Sequence, residues 1–431
     1  MNQLAKLEAL AGELLIATKS LVEHIHNIDA SLYDTMGGPA QLIPPEAPAE
    51  AHRARESTLA SLTKLRTMLV GPAGFLQDMA SQSQLLACIY WLGEFQVPAY
   101  IPLDGSILMK DVADFIGVPE DEFCRITRMA TTDGFLHEPQ PGRVAHTALS
   151  ASFVAHPSYQ DAAMFLAGTV APAALEMART TRKNQRSSGA LPNNIKSNGS
   201  AFSVVNRNEL PRLRRQWHAY LRHGTGLDCD TVTDILTCLE PLRNARVVEV
   251  GARSIERVIA LIDQYPTLHF TVQLHPTYQR KSRTRHSRID VHHRVPDSPQ
   301  PIQAEVYILN FPVPEPDGSS TSVLEQIRTE LVAHVRVLRL TQAAKLVLIT
   351  PFLSEREAVG VCPDTALLSR IRDLSFLQLA GERVLEISEV ISLLNGVGDL
   401  DGRLILVNKV MSASVAGIVA LEFKYQAYAG L

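Results

Sequence analysis

Short apolar runs alternate with helical patterns through the second half of the chain, and this alternation restricts the fold more than any other feature. The runs fall at 247–250, 269–274, 305–309, 345–350, 404–408 and 415–421, with helix-like spacing at 254–263, 321–339, 364–379 and 386–395. Strands covered on both faces read as continuous Val, Ile and Leu stretches, and the helices between them supply the crossovers that parallel pairing requires. The expectation is an α/β domain over 246–431 with a mostly parallel, Rossmann-like sheet whose last two strands form an antiparallel hairpin at one edge. At 431 residues the chain has room for a second domain ahead of it.

That leading half is mainly helical. Leu4, Leu7, Ala11, Leu14, Thr18, Leu21, Ile25 and Ile28 place one apolar stripe on a long helix, which suits packing within its own domain and a dimer seam equally. Within a helical region spanning 1–80, residues 34–50 hold the Gly and Pro of a linker. Helical pattern resumes near Glu56 and runs to Leu92, with a break around Gly71-Pro72-Ala73-Gly74. Residues 81–155 read as helix, short helix, second helix and a two-stranded hairpin around Gln140-Pro141-Gly142, the pattern of a winged helix. Its second helix opens with Glu120, Asp121 and Glu122, which favour the helix dipole and repel phosphate. The module therefore reads as a packing or dimerisation unit, although Arg125, Arg128 and Arg143 stand where they could reach a nucleic-acid backbone. Residues 156–245 read as a helical connector with a mobile loop at 183–200. Its later part, 210–223, sets Arg212, Arg214, Arg215 and Arg222 among Leu213, Trp217 and Leu221, one solvated face beside one core face.

Composition narrows the function classes. A net charge of −4 gives no general attraction to nucleic acid, so any such contact is local. Five scattered cysteines without CxxC spacing argue against a disulfide framework or a zinc site, and for a reducing compartment. No early segment resembles a secretory signal or a membrane span. His292 and His293 are adjacent and would point to opposite faces of a strand, which does not make a metal site. Arg280, Lys281, Arg283, Arg285 and Arg288 form the strongest basic cluster, read as a solvated loop or as a contact for nuclear import or an acidic partner. The stretch VVEVGARSI at 247–255 delivers a strand to a helix as a nucleotide-binding loop does, yet after Gly251 it offers Ala252, Arg253 and Ile255 in place of further glycines.

From about residue 80 onward the chain resembles the two-domain small-molecule O-methyltransferases, in which a winged-helix dimerisation domain precedes a Rossmann-like S-adenosylmethionine domain. DGFLHEPQPGRVAHT matches the wing, VVEVGARSIERVIALIDQYPTLHFTVQL the first strand, helix and second strand, and AEVYILNFPVPEP, AAKLVLITPFL and LQLAGERVLEISEVISLLNGVG later elements. The stretches SQLLACIYWLGEFQVPAYIPLDGSI, VADFIGVPE, GRVAHTALS, GRLILVNKV and KYQAY are similar, more narrowly, to methyltransferase-like transcriptional co-activators of aflatoxin-type fungal polyketide clusters. Against the enzyme pattern, only Gly251 of the glycine cluster remains. Gln273 stands where an acidic residue would accept both ribose hydroxyls. Val291-His292-His293-Arg294 lacks the Gly-Asp pair expected near the adenine, and Pro314 takes the place of the base histidine. Gly381-Glu382-Arg383 matches a stretch that supports the active-site wall. The resemblance thus implies a non-catalytic co-activator that does not take S-adenosylmethionine, a homodimer in the nucleus that works with a zinc-cluster transcription factor and reaches DNA indirectly. Two other classes stand beside it. One is an enzyme that uses the old pocket to position a polyketide intermediate for cyclisation, dehydration or a pericyclic step. The other is a protein that binds DNA directly through the winged helix.

Overall fold

The computed structural model describes residues 3–28, 43, 47–187, 210–227, 244–252, 255–274, 286–295, 298–315, 321–341, 343–353, 363–411 and 417–428. Two long helices come first, α1 (Gln3–His26) and α2 (Ala49–Glu94), and they pack on each other. On α1 the seam follows Leu7, Leu10, Leu14, Ala17, Leu21 and Ile25, a repeat in steps of three and four. In the first part of α2 the small side chains Ala51, Ala54, Thr58 and Ser61 are buried. The second helix begins at Ala49, inside the stretch read from sequence as linker and ahead of the expected start near Glu56. Pro48 supplies the extended residue before a run of good helix formers. Gly71 breaks the helix as expected, with φ 66° and ψ 178°, because Pro72 has no N–H to give to the preceding turn and disfavours helical backbone before it.

A small module follows: β1 (Ile107–Leu108), α3 (Met109–Ile116), α4 (Glu120–Thr132), β2 (Leu136–His137) and β3 (Arg143–His146). Its antiparallel strands lie in the order β1-β3-β2, over a core that includes Leu92, Val97, Met109, Val112, Phe123 and Val144. Then come α5 (Ala148–Ala155), α6 (Pro157–Phe165), a π-helical turn at Leu166–Val170, α7 (Ala171–Leu175) and α8 (Met177–Ser187). The last of these makes helix of residues 183–187, which the sequence assigned to a loop; 188–200 lie outside the described residues. In α9 (Leu210–Thr225) the split expected from sequence is visible. Trp217, Tyr220 and Leu221 are buried, the Trp217 ring lies 5.5 Å from Phe165, and Arg215 donates to both oxygens of Asp161 at 2.6 and 3.0 Å. The chain divides into two compact units, one running through Met177 and taking in Pro211–Gly224, the other containing the large sheet.

That sheet has strands β4 (Arg246–Ala252), β5 (His269–Leu274), β6 (Ile289–His292), β7 (Val306–Asn310), β8 (Lys345–Pro351), β9 (Gly402–Met411) and β10 (Ile418–Ala427), in the order β6-β5-β4-β7-β8-β10-β9. The first five pair in parallel, and β10 runs antiparallel to both β8 and β9. Between and beside these strands run helices α10 (Glu256–Gln264), α11 (Val323–Leu340), α12 (Pro363–Ala380) and α13 (Ile387–Asn395). Central strands are buried along their length, with Val247, Val306, Tyr307, Ile308 and Leu346 sealed from solvent, which is why they read as unbroken apolar runs. Strand β6 escaped the sequence reading because it is a four-residue edge strand whose Asp290 and His292 face solvent. The fold is thus an α/β Rossmann-like domain that follows a mainly helical N-terminal region in the chain.

Candidate functional site

The carboxyl ends of β4, β5 and β7 meet where strand order reverses, the place at which open α/β sheets hold ligands. Gly251 sits there at φ 70°, in the left-handed region that favours glycine. The pairing skips it: Val250 lies opposite Gln273 and Ala252 opposite Leu274, so Gly251 is a bulge within the strand. The strand therefore runs past the expected end at 250. Ala252 is buried, and Ile255, also buried, is the residue at which α10 starts, with no side-chain cap. Arg253 lies outside the described residues.

Beneath this turn is a buried charge network that the sequence reading missed. Arg257, on the first turn of α10, pairs with Glu249 in the middle of β4, their side chains 3% and 2% exposed. Its guanidinium also donates to Oδ1 of Asn310 at 2.6 Å. The Asn310 amide in turn donates to Glu249 Oε1 at 3.1 Å and to the carbonyl of Val250 at 3.0 Å. The available signal was a carboxylate inside an apolar strand, which needs a buried cation.

A second network uses Gln273. Its amide donates to Gln300 Oε1 at 2.8 Å, and its own oxygen accepts from Gln300 Nε2 at 3.1 Å. Gln300 Nε2 also donates to His334 Nε2 at 3.0 Å, and His334 Nδ1 donates to the carbonyl of Glu330 at 2.6 Å. These partners require the neutral imidazole with its proton on Nδ1. Burial, with the nearby Arg294 charge, lowers the His334 pKa to about 4. Arg294 itself forms a two-pronged ion pair with Glu330 at 3.0 and 2.8 Å. Thus the two positions where an enzyme would meet ribose and adenine are tied into the protein interior. Pro314 is buried and offers no side-chain proton acceptor. Glu382 has its carboxyl pKa raised by burial, and Arg383 is bonded to Glu389, which makes this stretch a brace between α11 and α13.

The arginines singled out in sequence are mostly engaged. Arg128 donates to both oxygens of Glu138 at 3.3 Å, and Arg143 donates to the hydroxyl and carbonyl of Ser106 at 2.9 and 2.6 Å. Arg125 is exposed. Arg288 donates to the carbonyls of Pro266 at 2.7 Å and Ile262 at 3.4 Å, closing the end of α10. Arg280, Lys281, Arg283 and Arg285 lie outside the described residues. His292 and His293 are exposed, and among the described residues no group of three or more metal-binding side chains assembles.

Comparison with known proteins places this architecture. The chain is 55% identical to the agnestins biosynthesis cluster transcriptional coactivator AgnL9 of Paecilomyces divaricatus, over 99% of each chain. It is 51% identical to the transcriptional coactivator AacuS of Aspergillus aculeatus, over 95% of this chain and all of that one. The chain belongs to the family of fungal biosynthesis-cluster transcriptional coactivators. A family model described as the trypacidin cluster transcriptional coactivator tpcD N-terminal domain matches residues 4–70, which are α1 and the part of α2 before the Gly71 break. Among solved structures, OxaC superposes with a TM-score of 0.67 at 15% identity, covering 99% of this chain and all of that one. The mitomycin 7-O-methyltransferase MmcR superposes with a TM-score of 0.60 at 18% identity, covering 82% of this chain and 97% of that one. These likenesses establish the methyltransferase fold of the coactivator family member described here. No helix among the described residues is long and apolar enough to cross a membrane.

Proposed function

We propose that the protein is a non-catalytic, methyltransferase-like coactivator of a fungal secondary-metabolite gene cluster, working in the nucleus as a homodimer beside a zinc-cluster transcription factor. The observation that carries the coactivator role is 55% identity along 99% of both chains to a relative named as a biosynthesis-cluster transcriptional coactivator. The residues at the strand ends do not fit S-adenosylmethionine. A ribose diol calls for a carboxylate, and Gln273 is a neutral amide already bonded to Gln300. Ala252 and Ile255 fill space that a glycine loop would leave to the ligand, and Pro314 cannot take a proton from a substrate hydroxyl. No methyl-transfer step is derived for this chain.

The dimer rests on the outer faces of α1 and α2. Ile16, Leu69 and Leu76 are 71%, 67% and 65% exposed, and Leu62, also exposed, lies one heptad before Leu69 on the segment of α2 ahead of the Gly71 break. Water is an unfavourable neighbour for such a face, and a second copy would cover it. We read β1 to β3 with α3 and α4 as a winged helix kept for packing, since Arg128 and Arg143 spend their guanidinium groups inside the module.

Two experiments test the proposal. Co-precipitation of the full chain with the cluster's transcription factor is expected to survive nuclease; loss after nuclease would mean tethering by DNA, and absence of association would overturn the role. Calorimetric titration with S-adenosylmethionine is expected to give no heat and no thermal shift, whereas tight binding would overturn the non-catalytic assignment.

A further inference from the structure

The small module of β1 to β3 with α3 and α4 carries an apolar outer surface that the coactivator reading leaves unused. Phe115, near the end of α3, is 64% exposed, and Leu103, in the loop before β1, is 59% exposed. Tyr100 and Leu108 are 44% and 43% exposed, so four large apolar side chains of one short stretch face water. The Tyr100 and Phe115 rings stack with centroids 6.2 Å apart and planes 21° from parallel, which joins the loop to the helix as one aromatic platform.

The charge around this platform selects what covers it. From Tyr100 to Glu122 the chain has Asp104, Asp111, Asp114, Glu120, Asp121 and Glu122 against Lys110, so six negative charges and one positive leave −5, where the whole chain has −4. All six carboxylates are exposed, and among the described residues no cation pairs with them. Asp111 shares a helix face with Phe115 at i, i+4. Glu120 to Glu122 open α4 directly after the turn that ends α3, where the Val118 N–H donates to the Ala113 carbonyl at 3.1 Å. Such a surface repels a nucleic-acid backbone. A second copy related by a two-fold axis would bring two acidic patches together. An arginine suits every part of it: the guanidinium stacks on aromatic faces and bonds carboxylates with both prongs, while its methylene stem or an aliphatic neighbour covers Leu103 and Leu108. We infer that this face docks an arginine-rich segment of a protein partner, with Tyr100 and Phe115 as the platform and the carboxylates as its rim. The inference rests on the coactivator reading and assigns a surface and a chemistry to its protein contact.

The test uses the full-length protein and a fluorescein-labelled peptide repeating Arg-Leu-Arg-Ser, with anisotropy read at about 150 mM salt, where long-range attraction is screened. Wild type is expected to bind this peptide and not its counterpart with glutamate in place of arginine. Y100A/F115A should weaken binding about fivefold, and D111N/D114N/D121N about tenfold. A control with the same charge change, D290N/E325Q/D401N, alters exposed carboxylates of the other unit and should bind as wild type does. Circular dichroism of each variant checks that the fold is retained. Absence of binding by wild type, or equal binding of the two peptides, overturns the inference. So does equal weakening in the control, which would show that only net charge matters. Sedimentation of Y100A/F115A should match wild type, and conversion of a dimer to a monomer would give the face to a second copy instead. In co-precipitation with the cluster's transcription factor, the control should retain the association and both surface variants should lose it. Retention by every variant overturns this inference while the coactivator role stands. Absence of association with wild type overturns the role, and the peptide titrations then decide the surface by themselves.

Discussion

Arg257 and Glu249 hold each other in a place where neither charge could remain alone. Truncation in R257A would strand the Glu249 carboxylate in the sheet, and the expected loss is about 3–5 kcal/mol of stability. The double variant R257M/E249L removes both charges and should recover most of that loss. Both tryptophans, Trp91 and Trp217, belong to the N-terminal unit, so intrinsic fluorescence does not report on this pair; hydrogen exchange across β4 and α10 does. His334 gives a pH signature. Its pKa lies at about 4 in the fold against 6.5 for an ordinary imidazole, so the unfolded chain takes up the proton first. The stabilisation is complete above about pH 6.5 and is lost as pH falls towards 4, by about 3 kcal/mol. Arg294 and Glu330 are the charged groups facing it, and comparison of H334Q with wild type isolates the imidazole from the carboxylates that also titrate there. A denaturation midpoint series from pH 7.5 to 4 should fall less steeply for H334Q; identical slopes would remove His334 from the account. Gln273 was legible as a missing carboxylate, but its use was not, since Gln300 and His334 are 27 and 34 residues away from their bonding partners in the sequence.

Among the elements, the break in α2 is the one most directly written by local chemistry. Gly71 at φ 66° and ψ 178° occupies backbone space that residues with a Cβ avoid, and a Cβ there would meet no neighbouring atom within 4 Å. G71A therefore tests backbone strain alone. Thermal unfolding should show a loss of about 1–3 kcal/mol, and an unchanged midpoint would mean that the two segments of α2 can straighten freely. The family match at 4–70 stops beside this break, so the hairpin of α1 with the first part of α2 is the region that the N-terminal family model describes. Strand and helix identities in the second half were legible because continuous apolar runs and the 3.6-residue helical period are local properties of the chain. Edge strand β6 and the early start of α2 were not. A half-exposed strand carries little apolar signal, and a proline-rich approach reads as loop even where its last proline begins a helix.

At the scale of the whole molecule the prediction concerns assembly. Sedimentation equilibrium at micromolar concentration should give twice 47.3 kDa for wild type and 47.3 kDa for L69E/L76E, with circular dichroism unchanged because both side chains are already exposed. A monomeric wild type would assign the exposed leucines to another partner. The sequence by itself determined the alternation of strands and helices and the lone Gly251, and its resemblance to the methyltransferases marked Pro314 as standing where a base would, because periodicity, residue identity and motif need no knowledge of distant neighbours. Only the tertiary structure decided that Arg257 fills the space beneath the turn, that Gln273 faces inward to Gln300, and that Arg128 and Arg143 are spent on Glu138 and Ser106. A polar side chain is bonded to whatever packing brings within about 3 Å, and packing joins residues far apart along the chain.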